Sequence, residues 1–222
     1  MRPDIVPGGL FPDYELRDHT GAKRRLSDLQ GADPMVLVLS RGSFCPKDRE
    51  QHRLLAAMEP EFKVAYTKIV TISTDTMMEA NEMRDGVGAH WPFLIDPARA
   101  VQRDLDIVEY TDAQHNPMIP HTLVLEPGLV IYSVYNGYWY WGRPAPAQLR
   151  ADLRAVTEKV RPDWDITAPG QRDAWERATR ARSGPTACRC ERSSPQTRPL
   201  ARNPARTTAA GVMSRLQPSA CP

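Results

Sequence analysis

Short apolar runs and longer amphipathic stretches take turns along this chain. Met35–Leu39 and Lys68–Ser73 are dense in β-branched and apolar residues and read as buried strands. Between them, Pro46 opens a helix predicted to run to about Met58, with Leu54, Leu55 and Met58 on one side. Asp75 or Thr76 is placed to cap a further helix running toward Arg84. Phe93–Ile95 is a short strand candidate, and Asp96-Pro97 then reads as the start of a helix carrying Ala100, Val101 and Leu105. Two hairpins frame this core. Asp18-His19-Thr20-Gly21 separates the first pair of strands, and Glu126-Pro127-Gly128 separates Thr122–Leu125 from Val130–Tyr135. Leu149, Leu153, Val156 and Val160 then repeat at helical spacing, and a weaker helical pattern covers Ala174–Ala181. Alternating strands and helices, closed by a hairpin and a helix, predict an α/β domain with a mixed sheet covered by helices.

Composition changes this picture mainly at the C-terminal end. The 222 residues carry a formal charge of +2, too small to point to nucleic acid. From Ser183 onward there are six arginines against Glu191 alone, so the remainder is mildly acidic. That tail is rich in proline, has no aromatic residue and is expected to be disordered. Its bias resembles an out-of-frame reading of GC-rich coding sequence, which makes it a candidate for a dispensable extension. The expected organisation is therefore a domain over residues 1–165, a weakly helical extension over 166–182 and a disordered tail over 183–222. No segment reaches the length of apolar sequence that a membrane helix needs, and the first nine residues lack the apolar core of a signal peptide. A cytoplasmic, reducing location is the expectation. Before Cys188 the only cysteine is Cys45, so the domain holds no internal disulfide.

Cys45 is the candidate for chemistry. It lies where the strand Val36–Leu39 passes through Arg41-Gly42-Ser43-Phe44 into the helix that Pro46 begins. Backbone N–H groups and the helix dipole at such a place favour the thiolate. Arg41, Lys47 and Arg49 add positive charge, and Asp48 opposes it. The alternative is an inert core cysteine. Arg41 is a candidate to stabilise the thiolate, or else a solvated loop residue. Cys188-x-Cys190 and Cys221 lie in the tail, where Cys188 and Cys190 are candidate resolving thiols on a flexible arm unless the tail is nonfunctional, and no spacing there or elsewhere reads as a metal site or a phosphate-binding loop.

Four segments together resemble the peroxiredoxins of the thioredoxin-fold superfamily, the alkyl hydroperoxide reductase and thiol-specific antioxidant group. They are Phe11–Leu16 with Gly21 and Leu26–Leu29, Arg41–Pro46, Leu94–Pro97 with Val101 and Leu105, and Ile119–Val124 with Gly128, Ile131 and Tyr132. The resemblance implies a thioredoxin-like fold with an N-terminal β-hairpin and a redoxin-type activity. The peroxidatic cysteine of that group matches Cys45, which would become a sulfenic acid on attacking peroxide. Arg41, Ser43 and His121 are the candidate catalytic companions, and Phe44, Pro120, Thr122 and Trp139 the candidate substrate contacts; the alternatives are a structural His121 and a Thr122 that simply starts its strand. Pro120 resembles the cis-proline loop of thioredoxins, which faces the active cysteine.

The chain also departs from that group. Typical members place a proline and a threonine seven and three positions before the cysteine, where Val38 and Gly42 stand here. The usual second arginine before the late strand is missing from Met118–Thr122. Asp48 replaces the second cysteine of the Cys-Pro-x-Cys variant, which excludes dithiol exchange within the motif. The expected activity is one-cysteine reduction of hydrogen peroxide or organic hydroperoxides, with no cofactor. The reductant would be external, a thioredoxin-like protein or a low-molecular-weight thiol. The alternative is a non-catalytic thioredoxin-like binding or redox-sensing module that uses the aromatic run Tyr138–Trp141, which otherwise reads as local packing. Arg143 closes that run, and nothing in the sequence says whether it reaches the site. Neither nucleic acid nor membrane is an expected partner, and a homodimer stays open.

Overall fold

The computed structural model describes residues 1–183. Expectations for the tail, including Cys188, Cys190 and Cys221, lie outside the described residues. Seven strands form one mixed sheet in the order β2-β1-β5-β4-β3-β6-β7. They are β1 Glu15–Asp18, β2 Lys23–Arg25, β3 Met35–Ser40, β4 Lys68–Ser73, β5 Phe93–Ile95, β6 His121–Glu126 and β7 Val130–Asn136. The pairs β3–β4 and β4–β5 are parallel, and every other pair is antiparallel. The helices are α1 Leu26–Gln30, α2 Pro46–Val64, α3 Met77–Gly86, α4 Ala100–Asp104, α5 Pro146–Val160 and α6 Gln171–Ser183.

β3 is the central strand and is buried along its whole length, which explains its unbroken apolar run. Its side chains alternate between two cores. Met35, Leu37 and Leu39 pack on one face with Leu26 of α1, Val101 of α4 and Leu105 just after it. Val36 and Val38 pack on the other with Leu55, Met58 and Phe62 of α2 and with Leu149, Leu153 and Val156 of α5. Residues 1–171 make one compact unit. α6 is polar and amphipathic, with Glu176 paired to both Arg172 and Arg180 one turn away. No helix among the described residues is long and apolar enough to cross a membrane.

Two boundaries differ from the sequence expectation, and for α3 the structure selects one of the two expected caps. α2 continues through Pro60 to Val64 because Phe62 is still buried in the core it serves, while Leu54 faces outward. α4 begins at Ala100 rather than Pro97. Arg99 is left-handed at its start, yet Asp96 still caps the turn, accepting from Ala100 N at 2.9 Å and Val101 N at 2.7 Å. Thr76, not Asp75, caps α3, in a reciprocal box with Glu79.

Two polar anchors hold the frame. Asp18 ties the β1–β2 turn by accepting from Thr20 N, Thr20 Oγ1 and Ala22 N with one oxygen and from Arg24 Nε with the other. Burial pushes its carboxyl up, but those hydrogen bonds outweigh burial and bring it down to about 2. The second anchor is Asp48, fully buried in the first turn of α2. Its carboxylate accepts from Ser40 Oγ at 3.0 Å, from Arg41 N at 2.6 Å, and from Arg143 through Nε at 3.1 Å and through Nη2. Arg143 also donates to Gln51 Oε1 and to the Gly137 carbonyl, each at 3.0 Å. The start of α2, the end of β3 and the β7–α5 connection are thereby locked together.

A carboxyl group lowered in the folded state contributes stability above its unfolded pKa, and that contribution fades as pH falls toward the folded value. Asp18→Asn should therefore lower the unfolding free energy near neutrality, with the difference from the parent shrinking as pH drops from about 5 toward 2. A difference that stays constant with pH, measured by denaturant titration, would contradict this. Asp48→Ala leaves Arg143 buried without its partner and should cost about 3–5 kcal/mol in the same measurement. A loss below about 1 kcal/mol would show that the ion pair does not hold this corner.

Candidate active site

The site is built where β3 gives way to α2. Cys45 is the residue just before the helix, extended at φ −83° and ψ 113°, and Pro46 takes the first helical position. Cys45 N donates to Gly42 O at 3.1 Å, and Arg49 N donates to Cys45 O at 3.1 Å. The turn needs its glycine. Gly42 has φ +125°, and a Cβ there would stand 2.6 Å from Asp75 Oδ1. Asp75 holds the next residue by accepting from Ser43 N at 3.1 and 3.0 Å with its two oxygens. Burial pushes the Asp75 carboxyl above its ordinary value, against these hydrogen bonds. The threonine of the resembled group has no room at position 42, because Asp75 occupies its place.

Cys45 is only 1% exposed. Its side chain takes no hydrogen bond from the N–H groups of the helix it precedes. The donor that reaches it is Arg41, whose Nη1 lies 3.7 Å from Sγ. The hydrogen-bond donor nearest the sulfur is thus a side chain, with the dipole of α2 behind it as a longer-range contribution.

Arg41 is held from the far side by the segment between α4 and β6. Its Nε and Nη2 donate to Glu109 Oε2 and Oε1 at 2.7 and 2.8 Å, a two-pronged pair, and Nη2 also meets Asp112 at 3.4 Å. Glu109 is brought there by a short ladder in which Glu109 N donates to Pro117 O and Ile119 N donates to Ile107 O. Burial lowers the Arg41 guanidinium, but Glu109 and Cys45 together outweigh that effect and raise the group above its ordinary value. The guanidinium lies over the Phe44 ring at 5.3 Å, and the Phe44 ring stacks on His115 at 3.7 Å.

A cleft of about 570 Å³ opens beside Arg41. Lys47, Glu109, Tyr110, Pro120, Trp139 and Arg143 are among its walls, so it gathers the expected Arg41, Pro120 and Trp139. Trp139 is 76% exposed at its rim. The Ile119–Pro120 peptide is trans, as is every described peptide bond, so the cis-proline likeness does not extend to geometry. The remaining expected residues sit elsewhere. Phe44 and Ser43 border a separate polar hollow with Asp75 and His115. Thr122 is buried and accepts from Gln51 Nε2 at 2.7 Å. His121 is buried, its Nδ1 2.9 Å from the Ile119 carbonyl, and burial holds its pKa below the ordinary value. It makes no hydrogen bond to the sulfur. Glu109, Asp112, Lys47 and the Asp48–Arg143 pair were not among the expected site residues. The charges of Lys47 and Asp48 and the position of Arg143 after the aromatic run were their only signals, and Glu109 and Asp112 had none.

Among curated proteins no relative matches the chain. Solved structures match its fold. Peroxidoxin BcpB from Mycobacterium tuberculosis is 22% identical at a TM-score of 0.59, over 68% of this chain and 96% of that one. A yeast mitochondrial 1-Cys peroxiredoxin is 16% identical at 0.59, over 70% and 78%. AhpC from Enterococcus faecalis is 16% identical at 0.58, over 74% and 99%. The architecture they share with this chain is the α/β thioredoxin-like fold. The model of the AhpC/TSA family matches residues 7–134, from before the first hairpin through Cys45 to β7, and the chain belongs to that family.

Proposed function

We propose that this protein is a one-cysteine thiol peroxidase with Cys45 as its nucleophile. The observation that carries the reading is the Arg41 guanidinium 3.7 Å from a cysteine sulfur at a helix start. Family membership supports thiol-dependent peroxide reduction as the class of chemistry. The Cys45 thiolate attacks the terminal oxygen of a hydroperoxide. An S–O bond forms as the O–O bond breaks, the departing oxygen takes a proton from water, and Cys45 becomes a sulfenic acid. Arg41 is the donor placed to meet charge developing on the oxygens.

Cys45 is the only cysteine among the described residues, and in this reading the return half of the cycle falls to an external thiol. That thiol condenses with the sulfenic acid, releasing water and leaving a mixed disulfide. A second thiol then reduces the disulfide and completes the two-electron balance. The yeast mitochondrial 1-Cys peroxiredoxin is described as resolved via glutathione/thioredoxin systems. A low-molecular-weight thiol or a thioredoxin-like protein is the corresponding reductant proposed here. The cleft beside Arg41 is the proposed approach for peroxide, with Pro120 and Trp139 in its wall.

The full chain, with Cys188, Cys190 and Cys221 changed to serine, should give a dimedone adduct on Cys45 after one equivalent of hydrogen peroxide. Cys45→Ser in the same background should give none. Mass spectrometry reads both. A wild-type Cys45 that stays unmodified under these conditions would instead mark a binding or sensing module.

A further inference from the structure

Arg41 approaches the sulfur with one nitrogen while Glu109 occupies the other two. We propose that Glu109 is a positioning residue that holds Arg41 Nη1 against Cys45. The functional role of this contact rests on the peroxidase reading above, but the positioning itself does not.

The geometry of the guanidinium carries the argument. Nε and Nη2 form one edge of its planar fork, and Glu109 grips that edge with both oxygens at 2.7 and 2.8 Å. With that edge fixed, Nη1 has a single direction, and the sulfur lies there at 3.7 Å. Asp112 meets Nη2 alone at 3.4 Å, so it adds charge without fixing the plane. Phe44 supports one face of the guanidinium at 5.3 Å. Glu109 is itself fixed by the backbone ladder with Pro117 and by Thr111 Oγ1, which donates to Oε1 at 2.8 Å.

Charge and orientation oppose each other here. Arg41 carries one positive charge, and Glu109 and Asp112 can together offset more than that. On charge alone, removing Glu109 would favour the thiolate and speed the sulfur's reactions. On orientation, its removal frees a long side chain to leave the sulfur, and a misplacement of about 1 Å in such a donor can cost roughly 10²-fold in rate. The two-pronged grip and the lack of any helix N–H bond to Sγ favour orientation, because Arg41 is then the sulfur's sole hydrogen-bond donor among the described residues.

A double-mutant cycle separates the two effects. In the chain lacking its tail cysteines, the rate constants of Cys45 with hydrogen peroxide and with iodoacetamide are measured for Glu109→Ala, Glu109→Gln, Arg41→Ala and the Arg41→Ala/Glu109→Ala pair. Arg41→Ala should slow the peroxide reaction by about 10²-fold, the cost of one donor to a developing oxyanion. Glu109→Ala should slow it by about tenfold or more, and Glu109→Gln, which keeps an acceptor for the fork, should recover most of the loss. In the Arg41→Ala background, Glu109→Ala should add nothing, which a general structural defect would not reproduce. Iodoacetamide should follow the same order with smaller differences. A Glu109→Ala rate equal to or above the parent with both reagents, or equal losses with and without Arg41, overturns the positioning. If wild type gives no dimedone adduct while iodoacetamide still shows the cycle, the peroxidase reading fails and the positioning of Arg41 stands.

Discussion

One guanidinium nitrogen stands 3.7 Å from the Cys45 sulfur, and the site depends on that contact. The sulfur is buried and receives nothing directly from the N–H groups of α2. Burial of an anion without a donor is costly, so the proposed thiolate would draw more on Arg41 than on the helix dipole. The loop that carries Arg41 is correspondingly over-determined. Asp48 holds its backbone N–H, Asp75 holds that of Ser43, and Glu109 holds the guanidinium itself.

Asp48 takes a place that would carry the second cysteine in a Cys-Pro-x-Cys arrangement. In this chain the position serves packing and polarity instead. A buried carboxylate beside Arg143 ties α2 to the β7–α5 connection, whose residues Gly137, Tyr138 and Trp139 wall the cleft. A buried ion pair of this kind is weak evidence for net stability, but removing one member leaves the other charge buried and unpaired. It ties the cleft wall to the start of the helix that follows the cysteine.

Much of the frame was legible in sequence because it follows from local pattern. β3 and β4 were visible as apolar runs, α5 as a helical repeat of Leu149, Leu153 and Val156, and the start of α2 from Pro46. The site was legible only in part. Cys45 and Arg41 share one turn, so their neighbourhood could be read from spacing. Glu109 lies 68 residues from Arg41 in a stretch without regular period, and only the folded ladder through Ile107 and Ile119 delivers it. The Asp48–Arg143 pair spans 95 residues, and in the sequence Asp48 registered as a charge opposing its neighbours and as the residue in place of a second cysteine, not as the partner of Arg143. Phe44 illustrates a further limit. An aromatic next to a reactive cysteine suggests a substrate contact, yet its ring is stacked on His115 and overlain by Arg41.

The most direct test of this account is the second-order rate constant of Cys45 with hydrogen peroxide, compared at the same pH with that of free cysteine. The tail cysteines are replaced by serine, and stopped-flow tryptophan fluorescence follows the reaction. A sulfur activated by a fixed guanidinium should exceed the free thiol by at least about 10²-fold, the scale of one well-placed donor. A rate equal to that of free cysteine would contradict the account.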